Sequence, residues 1–136
     1  MRIAVVSVCA RRRGIPEYVK SLARGMESMG HRVDVIDAWT EDGFRLPGYE
    51  YVALCAEAAS GWGGKMPDAL TKILGLGSGL VGKKSAAFLK KTGPFFVNKA
   101  LSNLMRAMEK EGMLVNWSEI LINAAQAEAL GKRIGA

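Results

Sequence analysis

Five short apolar runs alternate with stretches whose apolar residues recur every three or four positions, and this alternation constrains the fold more than any other feature. The runs are IAVVSV (Ile3 to Val8), HRVDVID (His31 to Asp37), YVALCA (Tyr51 to Ala56), KSAAFLK (Lys84 to Lys90) and LVNWSEILI (Leu114 to Ile122). Short, apolar and partly β-branched, they read as strands of a parallel sheet covered by helices on both faces. Ile15, Tyr18, Val19, Leu22, Met26 and Met29 share one face of a helix that Gly30 stops. Pro16 falls in its first turn, where a missing N–H costs little. Met66, Ala69, Leu70, Ile73 and Leu74 mark a second helix. Val97, Leu101, Leu104, Met105 and Met108 mark a third, ended by Gly112, and Ala125, Ala129, Leu130 and Ile134 a fourth, capped by Asn123. The arm from Ala38 to Glu50 is barely long enough for a parallel crossover, and Gly43, Pro47 and Gly48 leave room for one helical turn or none. The expected architecture is a three-layer α/β/α sandwich on a five-stranded parallel sheet of order 2-1-3-4-5. With 136 residues, 49% of them hydrophobic, the chain supports one core and hence one domain, 1–136.

A formal charge of +6 favours anionic partners. The basic residues are dispersed rather than interleaved with aromatics, which argues against nucleic acid. Cys9 and Cys55 each end an apolar run and read as small buried hydrophobes, or as a bridge if the strand ends are neighbours; no metal spacing is present. The N-terminus lacks a cleavage site, and no apolar stretch approaches the ~18 residues needed to cross a bilayer, so the expected protein is soluble, cytoplasmic and not membrane-bound.

The opening strand, Gly-containing loop and helix, the SGWGGKMP after the third strand, the KTGPFFVNKALSNLMRAMEKEGM after the fourth and the closing ALGKRIG together resemble the flavodoxin-like proteins. The likeness covers nearly the whole chain. It implies flavin mononucleotide held non-covalently at the carboxyl ends of the strands, with electron transfer to a redox partner protein or reduction of a small acceptor. It places the phosphate in the first loop and the isoalloxazine ring between the loops after the third and fourth strands. Gly14, Ile15, Pro16 and Glu17 match the end of the phosphate loop, where amides at a helix start favour a dianion. Where that family carries hydroxyls, this chain has Cys9, Ala10, Arg11, Arg12 and Arg13, with Ser7 as the nearby hydroxyl. The arginines either replace the hydroxyls as paired phosphate donors or solvate an exposed turn. In the second loop, Ser60, Gly61, Trp62 and Gly63 either admit and stack on a flat ring, or form a turn in which Trp62 caps the sheet edge. In the third, Thr92, Gly93, Pro94, Phe95 and Phe96 stand where ring-edge contacts arise, or the Phe pair staples the following helix. The alternative function is a flavodoxin-like domain without flavin, a binding or regulatory module for another phosphorylated ligand or a protein. Trp39 and Phe44, expected to be exposed, offer a surface for a homodimer mate.

Other signals fail on position. GSGLVG, Gly77 to Gly82, has dinucleotide-fingerprint spacing but precedes a strand instead of following one. A tyrosine phosphatase built on Cys9 needs an arginine where Ile15 stands, and a receiver domain needs an aspartate where Cys55 and Ala56 stand. His31 reads as an exposed turn cap, and Glu57 as a single accessible carboxylate with no assigned role.

Overall fold

The five long runs hydrogen-bond into one parallel sheet, and the rest of the chain is arranged by the need to cover its two apolar faces. The computed structural model describes residues 1–10, 14–40, 44–45, 48–58, 66–91 and 96–134, with backbone alone at 44–45 and 76–78. In chain order the elements are β1 (Arg2–Val8), α1 (Glu17–Ser28), β2 (Arg32–Asp37), β3 (Phe44–Arg45), β4 (Tyr51–Ala56), α2 (Asp68–Leu76), β5 (Gly77–Ser78), β6 (Lys84–Lys90), α3 (Val97–Lys110), β7 (Leu114–Leu121) and α4 (Ala124–Gly131). The main sheet runs β2-β1-β4-β6-β7 with every pairing parallel, the expected 2-1-3-4-5 order of its long strands.

Because side chains alternate across a strand, each face collects its own core. Val6, Val8, Leu54, Ala56, Ala87 and Leu89 pack with α2 and α3, including Ile73 and Leu104. Ile3, Val5, Ala53, Cys55 and Phe88 pack with Leu22 and Met26 of α1 and Leu130 of α4. The helix ends follow the sequence signals. Gly30 and Gly112 adopt φ of 89° and 86°, and the amides beyond them, of His31 and Met113, return to the carbonyls of Met26 and Met108. Asn123 Oδ1 accepts from the Gln126 amide at 2.8 Å. Pro16 is the N-cap of α1, one step before the first helical turn.

The arm between β2 and β4 carries no helix among its described residues. Instead β3 pairs in parallel with β5, a small second sheet without a counterpart in the sequence reading. Its return is pinned by Tyr49, whose hydroxyl donates to Asp34 Oδ2 at 2.6 Å and whose ring lies 4.6 Å beneath the Arg2 guanidinium.

A bulge in β7 produces a further cross-sheet bond. Ser85 pairs with Val115 and Ala86 with Trp117, which leaves Asn116 as the extra residue. Tyr51 donates to Asn116 Oδ1 at 2.6 Å. Burial pushes the Tyr51 phenol up to about 12 from its ordinary 10. The folded state therefore favours the neutral phenol: this contribution is complete below pH 10 and is lost as pH rises toward 12. Tyr51→Phe is expected to flatten the fall of the urea midpoint across that window, and an unchanged alkaline slope would contradict the assignment.

Candidate functional site

Parallel strands put all their carboxyl ends on one edge, and open α/β sheets bind ligands there, at the point where successive connections diverge. Here that point lies between β1 and β4: the chain leaves β1 toward β2 on one side and leaves β4 toward β6 on the other. The first loop starts from β1 with Cys9 and Ala10. Ser7 and Cys9 are buried beneath it, Ser7 Oγ and Cys9 Sγ lying 3.6 Å apart and Cys9 Sγ donating to the Gly14 carbonyl at 3.8 Å. Neither Cys9 nor Cys55 forms a disulfide, and burial raises the Cys55 thiol pKa, so it stays protonated. Gly14 is exposed with φ of 83°, a left-handed turn that sends the chain into α1, and Ile15 packs on the α1-side core. The first bonds of α1 run from the Val19 and Lys20 amides to the Pro16 carbonyl. The Glu17 and Tyr18 amides thus lie ahead of any acceptor within the helix, at its electropositive end.

Arg11, Arg12, Arg13, Ser60, Gly61, Trp62, Gly63, Thr92, Gly93, Pro94 and Phe95 lie outside the described residues. The third loop ends at Phe96, which caps α3 with φ of 62°, a left-handed conformation costly for an aromatic residue.

Three residues at this edge had no assigned role or a different one in the sequence. Glu57, read as accessible, is 2% exposed. Its Oε1 accepts from the Ala10 amide at 2.9 Å, its Oε2 from the Tyr18 hydroxyl at 2.9 Å, and its own amide donates to the Val8 carbonyl at 3.0 Å. Burial, then the Glu57 charge, raises the Tyr18 phenol far above its ordinary range, so Tyr18 remains a donor. Trp39, read as an exposed dimer surface, packs on the α2 and α3 core and donates Nε1–H to the Cys9 carbonyl at 2.8 Å. The Phe44 side chain is outside the described residues. Lys90, at the end of β6, sets its ammonium 5.6 Å over the Tyr18 ring. Period-two alternation was the available signal: Tyr51, Ala53 and Cys55 point toward α1, and Glu57 continues that series.

His31 lies at the other edge, before β2, and its Nε2 meets the Ile134 carbonyl at 2.9 Å, a brace for the C-terminal helix. Among the described residues no three His, Cys, Asp or Glu side chains could hold a metal ion, and no helix is long and apolar enough to cross a membrane.

An archaeal flavodoxin superposes with a TM-score of 0.72 at 19% identity, covering 98% of this chain and 96% of that one. The chain has the flavodoxin-like fold. The oxidised flavodoxin 1 of Bacillus cereus matches this flavodoxin-like fold with a TM-score of 0.71 at 16% identity, over 96% of this chain and 95% of its own. An NAD(P)H:quinone oxidoreductase from Methanothermobacter marburgensis matches with a TM-score of 0.63 at 13% identity, over 98% of each chain. No protein-family model and no curated protein sequence matches.

Proposed function

We propose that the chain binds flavin mononucleotide non-covalently at the carboxyl edge of the sheet and passes electrons to or from a redox partner protein, or to a small acceptor. The observation that carries this is the whole-length likeness in fold to flavodoxins, with the loops after β1, β4 and β6 opening at one edge. A bound flavin supplies the redox centre, and the protein supplies its position and electrostatic surroundings. The left-handed turn at Gly14 brings the chain to the Glu17 and Tyr18 amides, a fit for a phosphate dianion. Arg11, Arg12 and Arg13 follow β1 after Cys9 and Ala10 and in this reading add paired donors to the phosphate. Gly61, Trp62 and Gly63, with Thr92, Gly93 and Phe95, belong to the two loops that border the ring in this reading.

A second reading draws on one specific contact. The Ala10 amide, a donor that a phosphate loop would otherwise present, is engaged by the Glu57 carboxylate. This leaves one amide fewer for the flavin phosphate and favours a flavodoxin-like domain without flavin, a binding or regulatory module.

Changing Arg11, Arg12 and Arg13 together to Ala separates the phosphate from the ring. At about 1.5 kcal/mol or more per charge-assisted bond, flavin mononucleotide affinity should fall at least about 100-fold, while riboflavin affinity changes by less than about threefold. Equal losses for the two flavins would place the phosphate away from the arginines.

A further inference from the structure

The carbonyl of Cys9 and the amide of Ala10 belong to one peptide group, and both ends are held by side chains. Trp39 Nε1–H donates to the carbonyl at 2.8 Å and Glu57 Oε1 accepts from the amide at 2.9 Å. The two side chains come from the ends of different strands and from opposite faces of the sheet: Trp39 follows β2 on the α2 and α3 side, and Glu57 follows β4 on the α1 side. Each is itself fixed. The Trp39 amide donates to Asp37 Oδ1 at 3.0 Å, and Glu57 is held by the Tyr18 hydroxyl and by its own amide on the Val8 carbonyl. A peptide group free at both ends can flip; this one is held at one end by the buried Glu57 and at the other by the half-buried Trp39, which favours a single orientation. It is the last peptide of the described segment that leaves β1, and it fixes Ala10, from which the first loop continues. Glu57 also opens the connection from β4 to α2, so one residue ties the first loop to the second.

Glu57 joins the Ala10 amide to the Tyr18 hydroxyl, so the clamp is anchored in α1 as well as at the end of β4. We propose that Glu57 and Trp39 are positioning residues for a phosphorylated ligand: by clamping the Cys9–Ala10 peptide they aim the first loop, and so set the site's preference for a phosphomonoester over its unphosphorylated counterpart. The identity of that ligand as flavin mononucleotide rests on the function proposed above; the clamp does not. Tyr18 supports the clamp from below by keeping Glu57 Oε2 occupied.

The test compares the full chain with its Trp39→Phe, Glu57→Ala and Glu57→Gln variants, each titrated with flavin mononucleotide and riboflavin by flavin fluorescence and with inorganic phosphate by amide NMR. W39F removes the donor to Cys9 and keeps an aromatic ring; E57A removes the acceptor; E57Q keeps an amide oxygen for Ala10. W39F and E57A should lower the preference for flavin mononucleotide over riboflavin about tenfold, the worth of one lost hydrogen bond, and E57Q should restore it. If E57A does not fold, W39F decides alone. Equal weakening of both flavins in W39F would reduce the clamp to a general structural role and overturn the proposal. If the unaltered chain takes up neither flavin, the flavin reading fails while the phosphate titration still judges the clamp. A response at the Gly14 and Ile15 amides that W39F loses sustains it, and a response equal in W39F, or none in the unaltered chain, overturns it.

Discussion

Gly25→Ala should lower stability by about 3 kcal/mol or more, although the site is helical and alanine is the better helix former by up to ~1 kcal/mol. A Cβ at Gly25 would overlap the main-chain carbonyl oxygen of Glu128 in α4 and come within 3.1 Å of Gly131 Cα. The overlap is reciprocal, since a Cβ at Gly131 would strike the Leu22 carbonyl oxygen and lie 3.0 Å from the Met26 nitrogen. Both obstacles are helix backbone, which cannot rotate aside as a side chain can. The helices would have to separate and loosen the packing of Leu22, Met26 and Leu130, all buried. Gly131→Ala should cost a similar amount. The double variant should cost less than the sum, because one separation relieves both overlaps. Gly75, in α2, meets nothing within 4 Å, and Gly75→Ala should raise stability by about 0.5 to 1 kcal/mol. Chemical denaturation of the variants measures all of this, and a G25A midpoint equal to that of the unaltered chain would show that α1 and α4 do not meet at these glycines.

Glu57→Ala is the second large effect. It strands the Ala10 amide and the Tyr18 hydroxyl, two donors that otherwise meet a buried carboxylate. Unsatisfied buried donors cost about 1 to 3 kcal/mol each, so a total loss of about 2 to 6 kcal/mol is expected. Glu57→Gln should recover most of it, since the amide oxygen can accept from Ala10 and the amide nitrogen can donate to the Tyr18 oxygen. The exposed pair of Glu17 and Arg24, 2.8 Å apart, makes the contrast. Arg24 lowers the Glu17 pKa through a hydrogen bond and its charge, yet both side chains lie in solvent, and Arg24→Ala should leave the unfolding midpoint unmoved. An E57A variant as stable as the parent would mean that the carboxylate is not held as described.

The architecture was legible because each strand is a compact apolar run and each helix end carries its own chemistry. Gly30, Gly112 and Asn123 act locally, through left-handed φ and a side-chain cap, so their neighbours in sequence suffice to identify them. What escaped depends on distant contacts. Gly25 and Gly131 are unremarked glycines until α1 and α4 cross. Pairing of β3 with β5 is main-chain bonding over two residues a side, too short to leave a hydrophobic period. Glu57 misled because a carboxylate after an apolar strand usually starts a solvated loop, and only its facing partner, Tyr18, makes burial tolerable. Trp39 misled for the related reason that its donor is satisfied by a carbonyl thirty residues earlier in the chain. Of the named site residues, Ser7, Cys9, Gly14 and Ile15 gather at the carboxyl end of β1 and the start of α1, with Ser7 and Cys9 beneath the loop and Gly14 at its surface.

The central claim, that this edge of the sheet holds flavin mononucleotide, is met most directly by incubating the purified chain with the nucleotide, removing the unbound fraction by gel filtration and recording the visible spectrum of the protein peak. The expected result is flavin absorbance travelling with the protein at one nucleotide per chain. A colourless protein peak, with all the flavin in the small-molecule fraction, would contradict it.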